Sequence, residues 1–100
     1  MKWITILLML SFPATATEDP CMKLYNAADA IMTARQGGAE AHAVVAIVRE
    51  AHADEVQFKL YMKVVTDAYS YIRFTEALYQ KETIIEFSNK YYMMCWRHRV

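Results

Sequence analysis

After Pro20 the chain contains no further proline, and its only glycines are the adjacent pair Gly37-Gly38. Turns and hairpins draw on those two residue types, so a stretch this poor in both excludes a loop-rich or all-β domain. The apolar pattern agrees. Cys21, Leu24, Tyr25, Ala28, Ile31 and Met32 recur at three- and four-residue steps, the spacing of one buried helix face. Asp19-Pro20 marks the start of that helix, because the Asp carboxylate accepts from unpaired N–H groups and Pro suits the first turn. Gly37-Gly38 marks its end, with Gly37 expected to take the left-handed cap conformation. Arg35, in the last turn, complements the helix dipole.

The same reading predicts three more helices. The second covers about 39–52, with Ala41, Val44, Val45 and Val48 as its inner stripe. Asp54 caps the third, over about 55–71, where Val56, Leu60, Tyr61, Val64, Val65, Ala68 and Tyr69 share a face. A short turn at Tyr71–Phe74 follows, with Thr75 as the next cap. The fourth helix covers about 76–96, with Ala77, Ile84, Phe87, Tyr91, Met94 and Cys95 inward. The expected fold class is all-α, a small bundle of about four short helices in one domain.

Residues 1–16 read as something other than this domain. Met1 and Lys2 give a positive start, Trp3 to Phe12 form an apolar run, Pro13 breaks it, and Ala14-Thr15-Ala16 offers small residues for cleavage. That order is a secretory signal peptide, and the run is about half of the roughly 20 residues a membrane span requires. Cleavage after Ala16 leaves a single helical domain over 17–100, periplasmic or secreted, with no stable membrane anchor. Without Lys2, ten Lys/Arg face eleven Asp/Glu. A near-neutral chain with interspersed signs lacks the clustered positive charge that nucleic-acid binding requires.

The two cysteines, Cys21 and Cys95, stand near opposite ends of that domain. An even count in an exported chain reads as a disulfide, here joining the first and last helices, with a reactive or intermolecular thiol as the alternative. The acidic residues Glu18 and Asp19 before Cys21 do not fit lipid attachment, and the spacing fits neither a metal site nor a C-x-x-C redox motif. Closing a loop of about 75 residues is worth roughly 4–5 kcal/mol in the chain-entropy model. The bond also requires the two helices to lie antiparallel, with Cα atoms within about 7 Å.

No catalytic constellation emerges, and neither a metal nor a cofactor is implied. His42 and His52 lack the i, i+4 spacing of a helical metal pair. His52, Asp54 and Glu55 cluster in "HADE", which is equally the composition of a helix–helix junction. What stands out is the seven tyrosines and, beyond residue 17, five methionines. Four short helices cannot turn all of them inward, and both types are enriched at interaction surfaces. Tyr71, Phe74, Tyr79, Tyr92, Met93 and Trp96 are the candidate partner-binding residues, for an unidentified protein or for self-association.

Cys21, "IMTARQGG" at 31–38, "DAYSY" at 67–71, "IIEFSNKYY" at 84–92 and Cys95 together resemble a group of small exported proteins of Gram-negative bacteria and their phages. That group has no assigned activity. The resemblance implies export, a helical fold and the Cys21–Cys95 bond, and adds no catalytic role. Where members often carry a proline after the "AY" element, this chain has Tyr71 and Ile72. Size and architecture are also similar to those of periplasmic acid-stress chaperones, a likeness of fold alone. The expectation is therefore a non-enzymatic exported protein that binds another protein in the bacterial envelope, with an acid- or stress-responsive periplasmic chaperone as the alternative.

Overall fold

The computed structural model describes residues 19–99, so the expected signal peptide and its cleavage site lie outside the described residues. Four helices follow in order: α1 over Pro20–Gln36, α2 over Ala41–Ala51, α3 over Glu55–Ala68 and α4 over Ala77–Arg99. No strand occurs among the described residues. Local chemistry sets the helix starts. The Asp19 carboxylate accepts from the Cys21 N–H at 3.0 Å, and Asp54 does the same for the Gln57 N–H at 3.0 Å. Asp19 also receives the Arg99 guanidinium at 2.9 Å, so the cap of the first helix is tied to the end of the last.

The end of α1 corrects one expectation. Gly37 has ordinary right-handed geometry, and Gly38 is the left-handed residue, with φ +93°. The Ala39 N–H then bonds the Ala34 carbonyl at 2.9 Å and the Gly38 N–H bonds the Arg35 carbonyl at 3.1 Å, the two bonds of a Schellman close. A Cβ on Gly38 would also meet the Arg73 guanidinium at 3.0 Å, so the left-handed backbone and this close neighbour both disfavour a side chain here.

Two helix boundaries also differ from the pattern. α3 stops at Ala68, short of the expected end at about 71, so the connection is longer than the expected turn at Tyr71–Phe74, which lies within it. α4 opens after Thr75 without using it as its cap: the Gln80 N–H bonds the Glu76 carbonyl at 3.0 Å. The helix then continues to Arg99.

α1 and α4 run antiparallel and form the main contact of the bundle, with α3 laid against α1 and α2 held mainly by α3. Cys21 and Cys95 are disulfide-bonded with Cα atoms 5.5 Å apart, so the first and last helices are covalently joined. Ala28, Ile31 and Met32 of α1 meet Val64, Val65 and Ala68 of α3 and Phe87 and Tyr91 of α4 in one core, which Val44 and Val48 of α2 extend. Arg49 lies 3.5 Å over the Phe58 ring and pairs with Glu55 at 3.2 Å, helping to fasten α2 to α3.

The inner stripe of α3 is shorter than its periodicity implies. Val64, Val65 and Ala68 are buried as expected, but Val56 is 76% and Leu60 45% exposed. Ala41 and Ala77, also expected inside, are exposed. Periodicity identifies residues on a common face, but burial also requires a neighbour over the whole length of that face. No helix among the described residues is long and apolar enough to cross a membrane.

Candidate functional site

The first half of the resemblance pattern has a physical basis at the C-terminal end of α1. Gln36 is 1% exposed, and its side chain is fully engaged with the connection between α3 and α4. Its Nε2 donates to the Ile72 carbonyl at 2.9 Å and its Oε1 accepts from the Phe74 N–H at 2.8 Å. Arg35 donates from Nε and Nη2 to the Tyr71 carbonyl, at 3.2 and 2.9 Å. Arg73 returns the contact, its Nε donating to the Gln36 carbonyl at 3.0 Å, and Gln80 Nε2 donates to the Phe74 carbonyl at 2.6 Å. The side chains of "ARQGG" thus act as backbone partners for a segment that has no regular structure of its own. This also explains why α3 ends early: the carbonyls of Tyr71 and Ile72 are taken by α1.

The second half of the pattern builds a polar cluster between α3 and α4. The Lys90 ammonium donates to Asp67 Oδ2 at 2.6 Å and to the Tyr71 hydroxyl at 3.1 Å, while the Tyr91 hydroxyl donates to the same Asp67 oxygen at 2.7 Å. Lys90 also lies 5.2–5.3 Å from the ring centroids of Tyr71, Phe87 and Tyr91. Burial pushes the Asp67 carboxyl up, but the hydrogen bonds from Lys90 and Tyr91 and the Lys90 charge outweigh it and hold the group below its usual 3.8. For Lys90 burial pulls downward, and the bonds to Asp67 and Tyr71 together with the Asp67 charge carry it above its usual 10.5. Burial, then the bond and charge of Asp67, push the Tyr91 hydroxyl well above its usual 10.0. The four groups satisfy one another, and the cluster fastens α3 to α4.

The residues of "HADE" are likewise engaged. His52 stacks on Tyr61 with ring centroids 4.0 Å apart, Asp54 caps α3, and Glu55 pairs with Arg49. Among the described residues no group of three or more His, Cys, Asp or Glu converges on a position that could hold a metal.

The six candidate partner-binding residues fall in separate places. Tyr71 is half-buried, edge-on to Phe87 at 5.3 Å, with its hydroxyl on Lys90. Phe74 and Tyr79 pair at 5.9 Å beside the start of α4. Tyr92, Met93 and Trp96 lie near its far end, Tyr92 meeting Trp96 at 6.4 Å and Tyr25 of α1 at 6.0 Å. At about 1.5 Å rise per residue, Tyr79 and Trp96 are about 25 Å apart along the helix.

Two residues absent from that set connect the ends. Leu78 and Ile85 are exposed and stand fourteen and seven residues before Tyr92. Leu78, Ile85, Tyr92 and Trp96 therefore share one outward face of α4, an apolar stripe about 27 Å long, with the exposed Met22 and half-buried Tyr25 beside its C-terminal part. The seven-residue spacing is visible in the sequence, but the inward stripe of the same helix draws attention from it.

The opposite side of α4 borders a trough over the disulfide. α3 and α4 both rest on α1 and are tied together at the Asp67–Lys90 end, whereas toward the disulfide they leave a cavity of about 480 Å³. A second cavity of about 390 Å³ shares Leu24, Leu60 and Cys95 with the first. The exposed Leu60 is thus one wall of a gap that no other helix among the described residues fills.

No family model, curated protein or solved structure matches this chain.

Proposed function

We propose that this is an exported, non-enzymatic helical protein that acts in the bacterial envelope by binding another protein through the outward face of α4. The observation that carries the reading is the stripe Leu78–Ile85–Tyr92–Trp96. Large side chains recur along one face of α4, with Leu78 61%, Ile85 44% and Trp96 39% exposed and Tyr92 half-buried against Tyr25 of α1. A helix with a second apolar seam in addition to its core-facing one has the form of a helical docking surface. The disulfide is consistent with an oxidising compartment, which supports export.

Affinity capture from envelope extracts tests this, with the disulfide-bonded protein as bait beside Tyr92→Ala, Trp96→Ala and Leu78→Ser. A partner retained by wild type and lost with the variants is the expected result. Equal recovery by all four baits removes α4 as the binding face. Sedimentation of the bait alone separates self-association from capture of a different protein.

The Asp67 cluster supports a second reading, an acid-responsive chaperone. Protonating that carboxylate dissolves the tie between α3 and α4 and opens apolar surface. Circular dichroism with apolar-dye binding at pH 2–3 decides between the readings: a fully folded, dye-silent protein there eliminates the chaperone.

A further inference from the structure

The geometry points to the trough between α1, α3 and α4 as a binding site for the anion of a long-chain fatty acid, independent of the stripe on the other side of α4. The charge distribution in the trough is one-sided. The whole chain carries eleven acidic and eleven basic residues, yet no carboxylate lines either cavity. Lys63, His98 and Arg99 line the larger one and Lys23 the smaller. Arg99 is engaged by Asp19, but neither Lys63 nor Lys23 makes an ion pair with a described residue. An uncompensated ammonium beside an apolar cavity attracts an anion.

The floor specifies the remainder of the ligand. In the larger cavity Leu24, Leu60, Met94 and the Cys95 sulfur present apolar surface, and its one hydroxyl, on Tyr91, is committed to Asp67; Gln57 and Tyr61 border the smaller cavity. An extended peptide laid over the apolar floor of the larger cavity would lose hydrogen bonds from its amides and find few in exchange. A hydrocarbon chain loses none. The cavity volume lies within the range of about 300–1,000 Å³ usual for small-molecule sites, and its continuation past Leu60 suits an elongated ligand. An aliphatic chain over Leu24 and Leu60, with its carboxylate at Lys63, satisfies both the shape and the charge.

Titration calorimetry of the disulfide-bonded full chain tests the assignment, using tetradecanoate, dodecanoate and tetradecyltrimethylammonium below their micellar concentrations. The expected result is saturable one-to-one binding of tetradecanoate, with dodecanoate weaker by about tenfold for two fewer methylenes. The ammonium amphiphile binds at least about tenfold more weakly than tetradecanoate. Leu60→Asp abolishes binding and Lys63→Glu weakens it at least about tenfold. Both residues are exposed, so circular dichroism and melting of these variants stay as in wild type. Leu78→Ser, at the far end of α4, leaves binding unchanged. Indifference to head-group charge, indifference to Leu60→Asp, or no saturable binding overturns the proposal. So does an acidic amphipathic helical peptide binding in a Leu60-dependent way where tetradecanoate does not, which would give the trough to a protein partner.

Discussion

Gln36 shows how one side chain can determine the course of a segment far away in sequence. Its buried amide supplies a donor and an acceptor to backbone groups 36 and 38 residues later. Gln36→Leu preserves apolar packing but strands the Phe74 N–H and the Ile72 carbonyl, which costs about 2 kcal/mol. In thermal unfolding the expected shift is a Tm lower by roughly 8–16 °C for a domain of this size, and an unchanged Tm removes Gln36 from this role. The caps at Asp19 and Asp54 were legible in the sequence because cap and recipient lie two or three residues apart. The role of Gln36 was not, because a glutamine near a helix end carries no local sign of a partner so distant. The exchange of roles between Gly37 and Gly38 was also beyond reach, since either glycine can adopt the left-handed conformation.

Among the elements, α3 and α4 are joined through charge rather than by a long apolar seam. Asp67→Asn keeps the shape of the contact and removes its charge. Both side chains of the Asp67–Lys90 pair retain some solvent contact, so the loss is only about 1 kcal/mol. The pH dependence is more diagnostic. Asp67 has a folded-state pKa below its unfolded value, so its contribution is present above about pH 4 and disappears as pH falls through the lowered value. Lys90 and Tyr91 are raised, so their contributions are complete below about pH 10 and disappear as pH rises beyond it. Denaturant unfolding from pH 2 to 11 should show a plateau between these limits, with an acid limb that is shallower in Asp67→Asn. An equally steep limb in both proteins locates the acid response elsewhere. Helix number and the Val64–Val65–Ala68 face followed from periodicity, whereas the exposure of Val56 and Leu60 did not. Their burial depended on whether α4 came close enough to cover them. The outward stripe of α4 was half legible: Tyr92 and Trp96 stood out by residue type, but Leu78 and Ile85 were hidden among ordinary aliphatics.

At the level of the whole molecule, α1 is secured at both ends, by the disulfide at its first turn and by the Arg35–Gln36 contacts at its last. The sequence foretold the first restraint because two cysteines in one chain admit a single intramolecular pairing. Cys21→Ser/Cys95→Ser frees the unfolded chain of a loop spanning a sequence separation of 74. That substitution lowers stability by about 4 kcal/mol in the chain-entropy model. Urea unfolding of the double variant beside the oxidised protein measures the difference, and coincident curves would assign the bundle's stability to packing alone. The same bond closes the segment from Cys21 to Cys95 into a covalent ring. The exposed link at 53–54, between α2 and α3, lies within that ring. Cutting it once yields two polypeptides by sequence yet one particle by mass, with α1 and α4 still side by side and new chain ends on the periphery.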